Sequence, residues 1–324
     1  MCGGGTVLIE AKIAGYDAIG FDVNPVSVLV SRTVVTAIEP SVLDQHVKQF
    51  ISDTGNGMLG TVFMNASNGK TNNRIPDLFG NEKYYDPQNL EELSILKNQI
   101  DVVSEPDVKN FLTVAFLSIM RQVSQANVKK MNTEIDENKP RRDVWTTLYK
   151  KLMQMVEINT SLWELPKPNI HVELSNALST PLEDEAASLV IVHPPYLTNT
   201  AFSEAVQLQL AWLGFKHTDI WKKELRCRGS YLREPDGLQK YLIDWNEALK
   251  ETFRVLEKGG KCVVVVGDGQ IDYVRIPIGA ITEEFSRDIG YEVVNSIRHH
   301  INNQTGMTQN RKMRDQHIIV LEKK

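Results

Sequence analysis

The chain has 324 residues, 42% hydrophobic and 24% charged, a size and balance that suit one large folded domain or two ordinary ones. A formal charge of −5 excludes a chain that coats nucleic acid indiscriminately, while leaving room for a local basic face. There is no apolar run of the roughly 18 residues a membrane span needs and no leader pattern; three scattered cysteines give neither a disulfide framework nor metal spacing, so a cytoplasmic protein without membrane association is expected.

The chain opens on Cys2-Gly3-Gly4-Gly5-Thr6, directly ahead of a helical pattern over residues 6–14 that ends at Gly15. Residues 16–23 read as a short buried strand. Asn24 and Pro25 then stand as N-cap and N1 of a helix reaching about residue 35. From 38 to 167 the texture turns helical, with a helix near 41–51, a Gly/Asn-rich loop around 53–80, and further helix after it. Within 106–125, Val108, Leu112, Phe116 and Met120 form one i, i+4 row and Phe111, Ala115, Ile119 and Val123 the next. That wide apolar stripe must pack against something. Another helix is expected over 144–162.

Strand and helix patterns then alternate: strands at 170–174 and 189–192, a helix over 202–213, another over 238–256, and a strand at 262–266. A helix at 278–289 precedes two final strands, 291–299 and 317–321. Val-rich strands alternating with helices indicate an α/β doubly wound sheet, and two antiparallel strands at the end suit its edge. Residues 1–37 and 168–324 are expected to form this domain, with 38–167 as a mainly helical insertion.

Three clusters of residues carry chemistry. Glycines at 3, 4 and 5 let backbone lie close to a ligand whose carboxylate meets free N–H groups at a helix start. Asp22 ends the next strand 17 residues after Gly5, close to the roughly 20 expected for an acid that holds a ribose diol. Asn176 follows the strand at 170–174, where it could face an adenine edge or simply make a turn. The run Val190-Ile191-Val192 stops at His193-Pro194-Pro195-Tyr196, because proline has no N–H and restricts its predecessor. A stiff loop bearing an aromatic side chain therefore leaves the carboxyl end of a strand, where open α/β sheets bind ligands.

Together these segments resemble the Rossmann-like, S-adenosylmethionine-dependent DNA amino-methyltransferases that act on cytosine N4 or adenine N6. Met1-Cys2-Gly3-Gly4-Gly5-Thr6 is similar to the tail of that family's Asp-Pro-x-Cys-Gly-x-Gly-Thr cofactor motif. Gly20-Phe21-Asp22-Val23-Asn24-Pro25 resembles its ribose segment, and His193-Pro194-Pro195-Tyr196 its Ser/Asp/Asn-Pro-Pro-Tyr catalytic motif. Phe253-Arg254-Val255-Leu256-Glu257-Lys258-Gly259-Gly260 is similar to its turn before strand five. The resemblance implies S-adenosyl-L-methionine as cofactor, held by Cys2, Gly3, Gly5, Thr6, Asp22 and Asn176. It implies DNA as partner, with His193, Pro194, Pro195 and Tyr196 holding a flipped base, and a target-recognition role for the helical block.

A side-chain acceptor and a backbone carbonyl would take the two amine hydrogens, localising the nitrogen lone pair toward the methyl donor. Tyr196 would stack on the extruded base, offsetting part of an unstacking cost of a few kcal/mol. Neutral His193 can accept one such hydrogen bond and a protonated imidazole cannot. The resemblance also implies a strand ending in Asp-Pro ahead of Met1, either in a longer reading frame of the same chain or supplied by an upstream polypeptide as one part of a split enzyme. Two alternatives stand beside this reading: an RNA guanine-N2 methyltransferase, although Leu197 follows the tyrosine where those enzymes carry glycine, and a catalytically inactive DNA-binding relative, suggested by His193.

Basic residues collect at Lys222, Lys223, Arg226, Arg228 and Arg233, with Trp221 and Tyr231 among them. A second group is Arg298, Arg311, Lys312 and Arg314. Both are candidate phosphate contacts. His299 and His300 lack partners at ligand spacing, so no metal site is expected.

Overall fold

The computed structural model describes residues 1–65, 75–197, 200–225, 234–300 and 315–324. Helix α1 (Thr6–Ala14) begins after Gly5 at φ 85° and ends at Gly15 at φ 78°, whose N–H bonds back to the Lys12 carbonyl. Strand β1 (Ala18–Asp22) leads to α2 (Pro25–Val35), capped as the sequence predicts: the Asn24 side chain accepts from the Val26 N–H and Pro25 opens the first turn.

The helical block holds α3 (Pro40–Asn65), α4 (Pro87–Asp101), α5 (Pro106–Val123) and α6 (Val144–Trp163). Helix α3 runs well past the loop expected from residue 53; a glycine inside a helix costs only about 1 kcal/mol relative to alanine, so the glycines there do not end it. All eight apolar residues of the α5 stripe are buried. Their core also takes in Leu208, Ala211 and Trp212 from a later segment, and the Trp212 indole N–H donates to Tyr85 Oη at 3.0 Å. That later segment is two short helices, α7 (Phe202–Ala205) and α8 (Gln207–Trp212), broken at Val206 rather than continuous.

Strands β2 (Ile170–Leu174) and β3 (Ala187–Val192) follow α6, with α9 (His217–Trp221) and α10 (Gly237–Val255) after α8. Strand β4 (Leu256–Gly267) is longer than expected, because Leu256 already pairs with Ala187 on β3 before an irregularity that ends at the Leu189–Lys261 pair. A short hairpin, β5 (Gly269–Ile271) and β6 (Val274–Ile276), was not signalled by the sequence pattern. Helix α11 (Ile278–Ile289) and the antiparallel β7 (Tyr291–His300) and β8 (Asp315–Lys323) complete the chain.

The expected α/β architecture with antiparallel C-terminal strands is present, with the main sheet in two parts. β1 pairs in parallel with β2 over Ala18–Asp22 and Ile170–Leu174. The other part has the order β3-β4-β8-β7, in which only β3 and β4 are parallel. Met1 and Cys2 bridge the two parts. The Cys2 N–H donates to the Phe21 carbonyl at 2.7 Å, while the Met1 side chain packs against the core beneath β3 and β4. Among the described residues, β1 and β3 each have a strand partner on one edge only. Ile19, Leu189 and Ile191 on these two strands are 49%, 53% and 37% exposed, unusual for parallel strands, which normally lie covered on both faces.

Glu251 on α10 ties down the segment after β2. It accepts from the Thr180 N–H and hydroxyl at 2.7 and 2.6 Å and from the Arg254 guanidinium at 2.7 Å. Burial raises the Glu251 pKa, but these hydrogen bonds outweigh it and bring the value down to about 2. A depressed carboxyl pKa stabilises the fold above the unfolded value and loses that stabilisation as pH falls through the folded one. Glu251→Gln is therefore expected to cost about 2 kcal/mol at pH 7, the size of a hydrogen bond to a charged group. The deficit, read from thermal melts, should shrink as pH drops from 4.5 toward 2; an unchanged deficit at about pH 3 would refute the assignment.

Candidate active site

The glycine loop splits into two jobs. Gly3 (φ 51°) and Gly4 face open space, since a methyl group added to either would meet no atom within 4 Å. Gly5 is different: a Cβ there would lie 2.7 Å from Val34 and 3.0 Å from Ser31, and its φ of 85° is left-handed. Close packing of the loop on α2 thus itself requires glycine at position 5. The loop ends on α1, whose first turn carries no acidic side chain, and N–H groups at a helix start favour an anion.

Asp22 is the organiser of this mouth. Its Oδ2 accepts from the Gly3 N–H and its Oδ1 from the Asn24 N–H, both at 3.0 Å. A carboxylate has lone pairs beyond these two, so acceptor capacity remains toward a diol. Cys2 sits next to it, its thiol pushed up in pKa by burial and by the Asp22 charge. Thr6 is exposed at the start of α1. Asn176 forms a turn: its Oδ1 accepts from the Leu178 N–H at 3.0 Å and its backbone bridges to Ser179. The preceding Ser175 N–H bonds to the Asp22 carbonyl, which brings this turn to the same rim.

The Pro-Pro-Tyr loop reaches that rim as well. Partial burial lowers the His193 pKa below its usual 6.5, and the positive amino terminus at Met1 lowers it further; the Met1 side chain packs on the core that holds Val192 and Leu197, the residues flanking this loop. His193 Nε2 is 2.8 Å from Tyr196 Oη, and the two rings meet edge to face at 5.1 Å. Gln316 on β8 donates to the same Oη through Nε2 at 2.5 Å. Pointing the one tyrosine hydrogen at His193 Nε2 satisfies all three groups. Tyr196 is buried, Pro194 is buried, and the Pro195 carbonyl accepts from Tyr241 Oη at 3.4 Å, fixing the loop on α10.

Two residues escaped the sequence reading. Gln316 is one; nothing in a polar residue near the start of a strand marks it. Glu224 is the other. Its carboxylate accepts from the Ser203 N–H at 2.8 Å and hydroxyl at 2.9 Å. Burial raises its pKa first of all, and Asp22 nearby raises it too. In sequence it stands directly after Lys222 and Lys223, within a run whose pattern is that of a basic segment. Arg226, Arg228, Tyr231 and Arg233 of that run, and Arg311, Lys312 and Arg314 of the second, lie outside the described residues.

No family model matches the chain. A Type II methyltransferase of Kocuria varians, M.MvaI, is 24% identical over 333 residues, which cover 87% of this chain and 72% of that protein. Among solved structures, the chain is similar to a SAM-dependent methyltransferase of Methanosarcina mazei, with TM-score 0.37 and 10% identity over 99% of this chain and 89% of that one. It is also similar to a Thermus thermophilus protein assigned as a DNA modification methylase and solved with S-adenosyl-L-methionine, with TM-score 0.29 and 21% identity over 44% of this chain and 50% of that one.

Proposed function

We propose that this protein is a methyltransferase that moves a methyl group from S-adenosylmethionine to the exocyclic amino group of a flipped cytosine or adenine in DNA. The observation that carries this reading is the packing of Met1, at the head of the glycine segment, on the core that holds Val192 and Leu197 at either side of the Pro-Pro-Tyr loop. S-adenosylmethionine supplies an electrophilic methyl on sulfur. The open backbone at Gly3 and Gly4, the N–H groups at the start of α1 and the Asp22 carboxylate suit its carboxylate and ribose. Fixed proximity then contributes much of the acceleration, since no covalent enzyme intermediate is needed.

His193 takes one amine hydrogen on Nε2 and a loop carbonyl at Pro194 takes the other. In the structure that Nε2 is engaged by Tyr196 Oη, so Tyr196 must turn off the imidazole first. A base entering the loop and stacking on the Tyr196 ring provides that exchange. Because the His193 pKa is lowered, the imidazole stays neutral at pH 7 and methyl transfer is expected to hold constant from pH 8 to about 6.5, falling only below. His193→Asn, which gains no proton, should lose the acid limb. An acid limb kept in that variant would remove His193 from the role.

The helical block of residues 38–167 is proposed to read the target sequence. An apolar strand, supplied upstream of Met1 or by a separate polypeptide, is proposed to fill the space between β1 and β3. The free edges of both strands and their exposed Ile19, Leu189 and Ile191 support this.

A further inference from the structure

We propose that Tyr273, at the tip of the β5–β6 hairpin, is a stacking finger that contacts the bases of duplex DNA beside the flipped nucleotide. The inference rests on the DNA reading above and adds a contact residue outside its motifs.

The hairpin is closed by Ile271 paired with Val274, leaving Asp272 and Tyr273 as a two-residue turn. Both have left-handed backbones, at φ 46° and 67°. A turn of this hand strongly favours Asn-Gly or Asp-Gly, and a bulky aromatic residue at positive φ is a genuine outlier. Tyr273 has no packing to offset that strain, being 96% exposed, and Val274 next to it is 63% exposed. Backbone strain of this kind clusters where function overrides local preference.

The base of the hairpin is built firmly into the catalytic rim. Gly269 lies so close to Leu197, the residue after Tyr196, that a Cβ there would approach it at 2.8 Å. Ile271 and Ile276 pack on the core beneath β3 and β4. Arg275 on β6 is clamped by the buried carboxylates of Asp268 and Asp315, each at 2.5 Å. Asp315 is adjacent in sequence to Gln316, which holds Tyr196. At about 3.3 Å per strand residue, the tip stands roughly 10–13 Å beyond Gly269, the height of three or four stacked base pairs.

A rigid stem on the catalytic loop thus carries a solvated aromatic ring outward. The neighbouring Asp272 carboxylate disfavours phosphate contact, which leaves base faces as the fitting surface. Aromatic rings stack on bases without regard to sequence.

The test is binding of a mixed-sequence duplex of about 30 base pairs, some three helical turns, to the full chain and to its Tyr273→Ala, Tyr273→Phe and Tyr273→Trp variants. Tyr273→Ala is expected to weaken duplex binding about tenfold, while the Phe and Trp variants stay within about twofold. Tyr273→Trp should also show DNA-dependent quenching beyond that of the unsubstituted protein, and S-adenosylmethionine affinity should be equal in all four. Tight DNA binding by Tyr273→Ala, with fluorescence of Tyr273→Trp indifferent to DNA, would overturn the finger and leave the DNA reading standing. Absence of DNA binding by the unsubstituted protein would overturn both.

Discussion

Tyr196→Ala is expected to lower kcat for methyl transfer at least about a hundredfold while S-adenosylmethionine affinity changes no more than about twofold. Tyr196 Oη sits between His193 Nε2 at 2.8 Å and Gln316 Nε2 at 2.5 Å, so removing it leaves two polar groups at the rim without their partner. It also removes the ring on which the base stacks. Misplacement of a reacting group by about 1 Å is enough for a loss of order 10². The glycine mouth is organised by Asp22, not by Tyr196, which is why binding of the methyl donor should be spared. Tyr196→Phe separates the two contributions: it keeps the ring, drops the hydroxyl, and should retain most of the rate if stacking dominates. Parallel losses in kcat and in cofactor affinity for Tyr196→Ala would show that the loop is structural, with no separate hold on the base.

The second large effect concerns the divided sheet. Joining a six-residue Val/Ile-rich strand ahead of Met1 is expected to raise the melting temperature by at least about 6 °C and tighten S-adenosylmethionine binding about tenfold. A Gly/Ser segment of equal length should do neither. Covering the half-exposed Ile19, Leu189 and Ile191 contributes about 1 kcal/mol each, half the value for full burial of such a side chain. New ladder bonds on the free edges of β1 and β3 roughly offset the ordering entropy of the added residues. About 3 kcal/mol then remains, and a chain of this size gains some 2–4 °C per kcal/mol. The coupling to the cofactor follows from Cys2 and Gly3, which already hang from Phe21 and Asp22 and would be held from both sides. Equal stabilisation by the Gly/Ser segment, or strong hydrogen-exchange protection of the Ile19 and Leu189 amides in the unextended chain, would count against the proposed strand.

Much of the fold was legible because its signals are local. Asn24-Pro25 announced the start of α2, Gly15 the end of α1, and the i, i+4 rows the buried face of α5. What pattern alone did not show depends on long-range contact. The Val206 break between α7 and α8 reflects Trp212 turning into the core of the helical block, and the β5–β6 hairpin uses turn residues that carry no hairpin signature. The site divides the same way. Asp22 and the Pro-Pro-Tyr loop stand at ends of strands, where a stop in apolar pattern marks them. Gln316 and Glu224 act through side chains brought 120 and 21 residues across the sequence to Tyr196 and Ser203, a relation no spacing rule encodes.

Gly5 shows a constraint of another kind, a packing requirement that the sequence pattern does not display. Its left-handed backbone and the Val34 contact require glycine whether or not a ligand lies above it.

Transfer of a tritiated methyl group from S-adenosylmethionine to unmethylated duplex DNA, followed by digestion and separation of the nucleosides, tests the central claim most directly. The account predicts label in N4-methylcytosine or N6-methyladenine, abolished in Tyr196→Ala. Label on a ring carbon or only in an RNA control, or none from a protein that binds both cofactor and DNA, would contradict it.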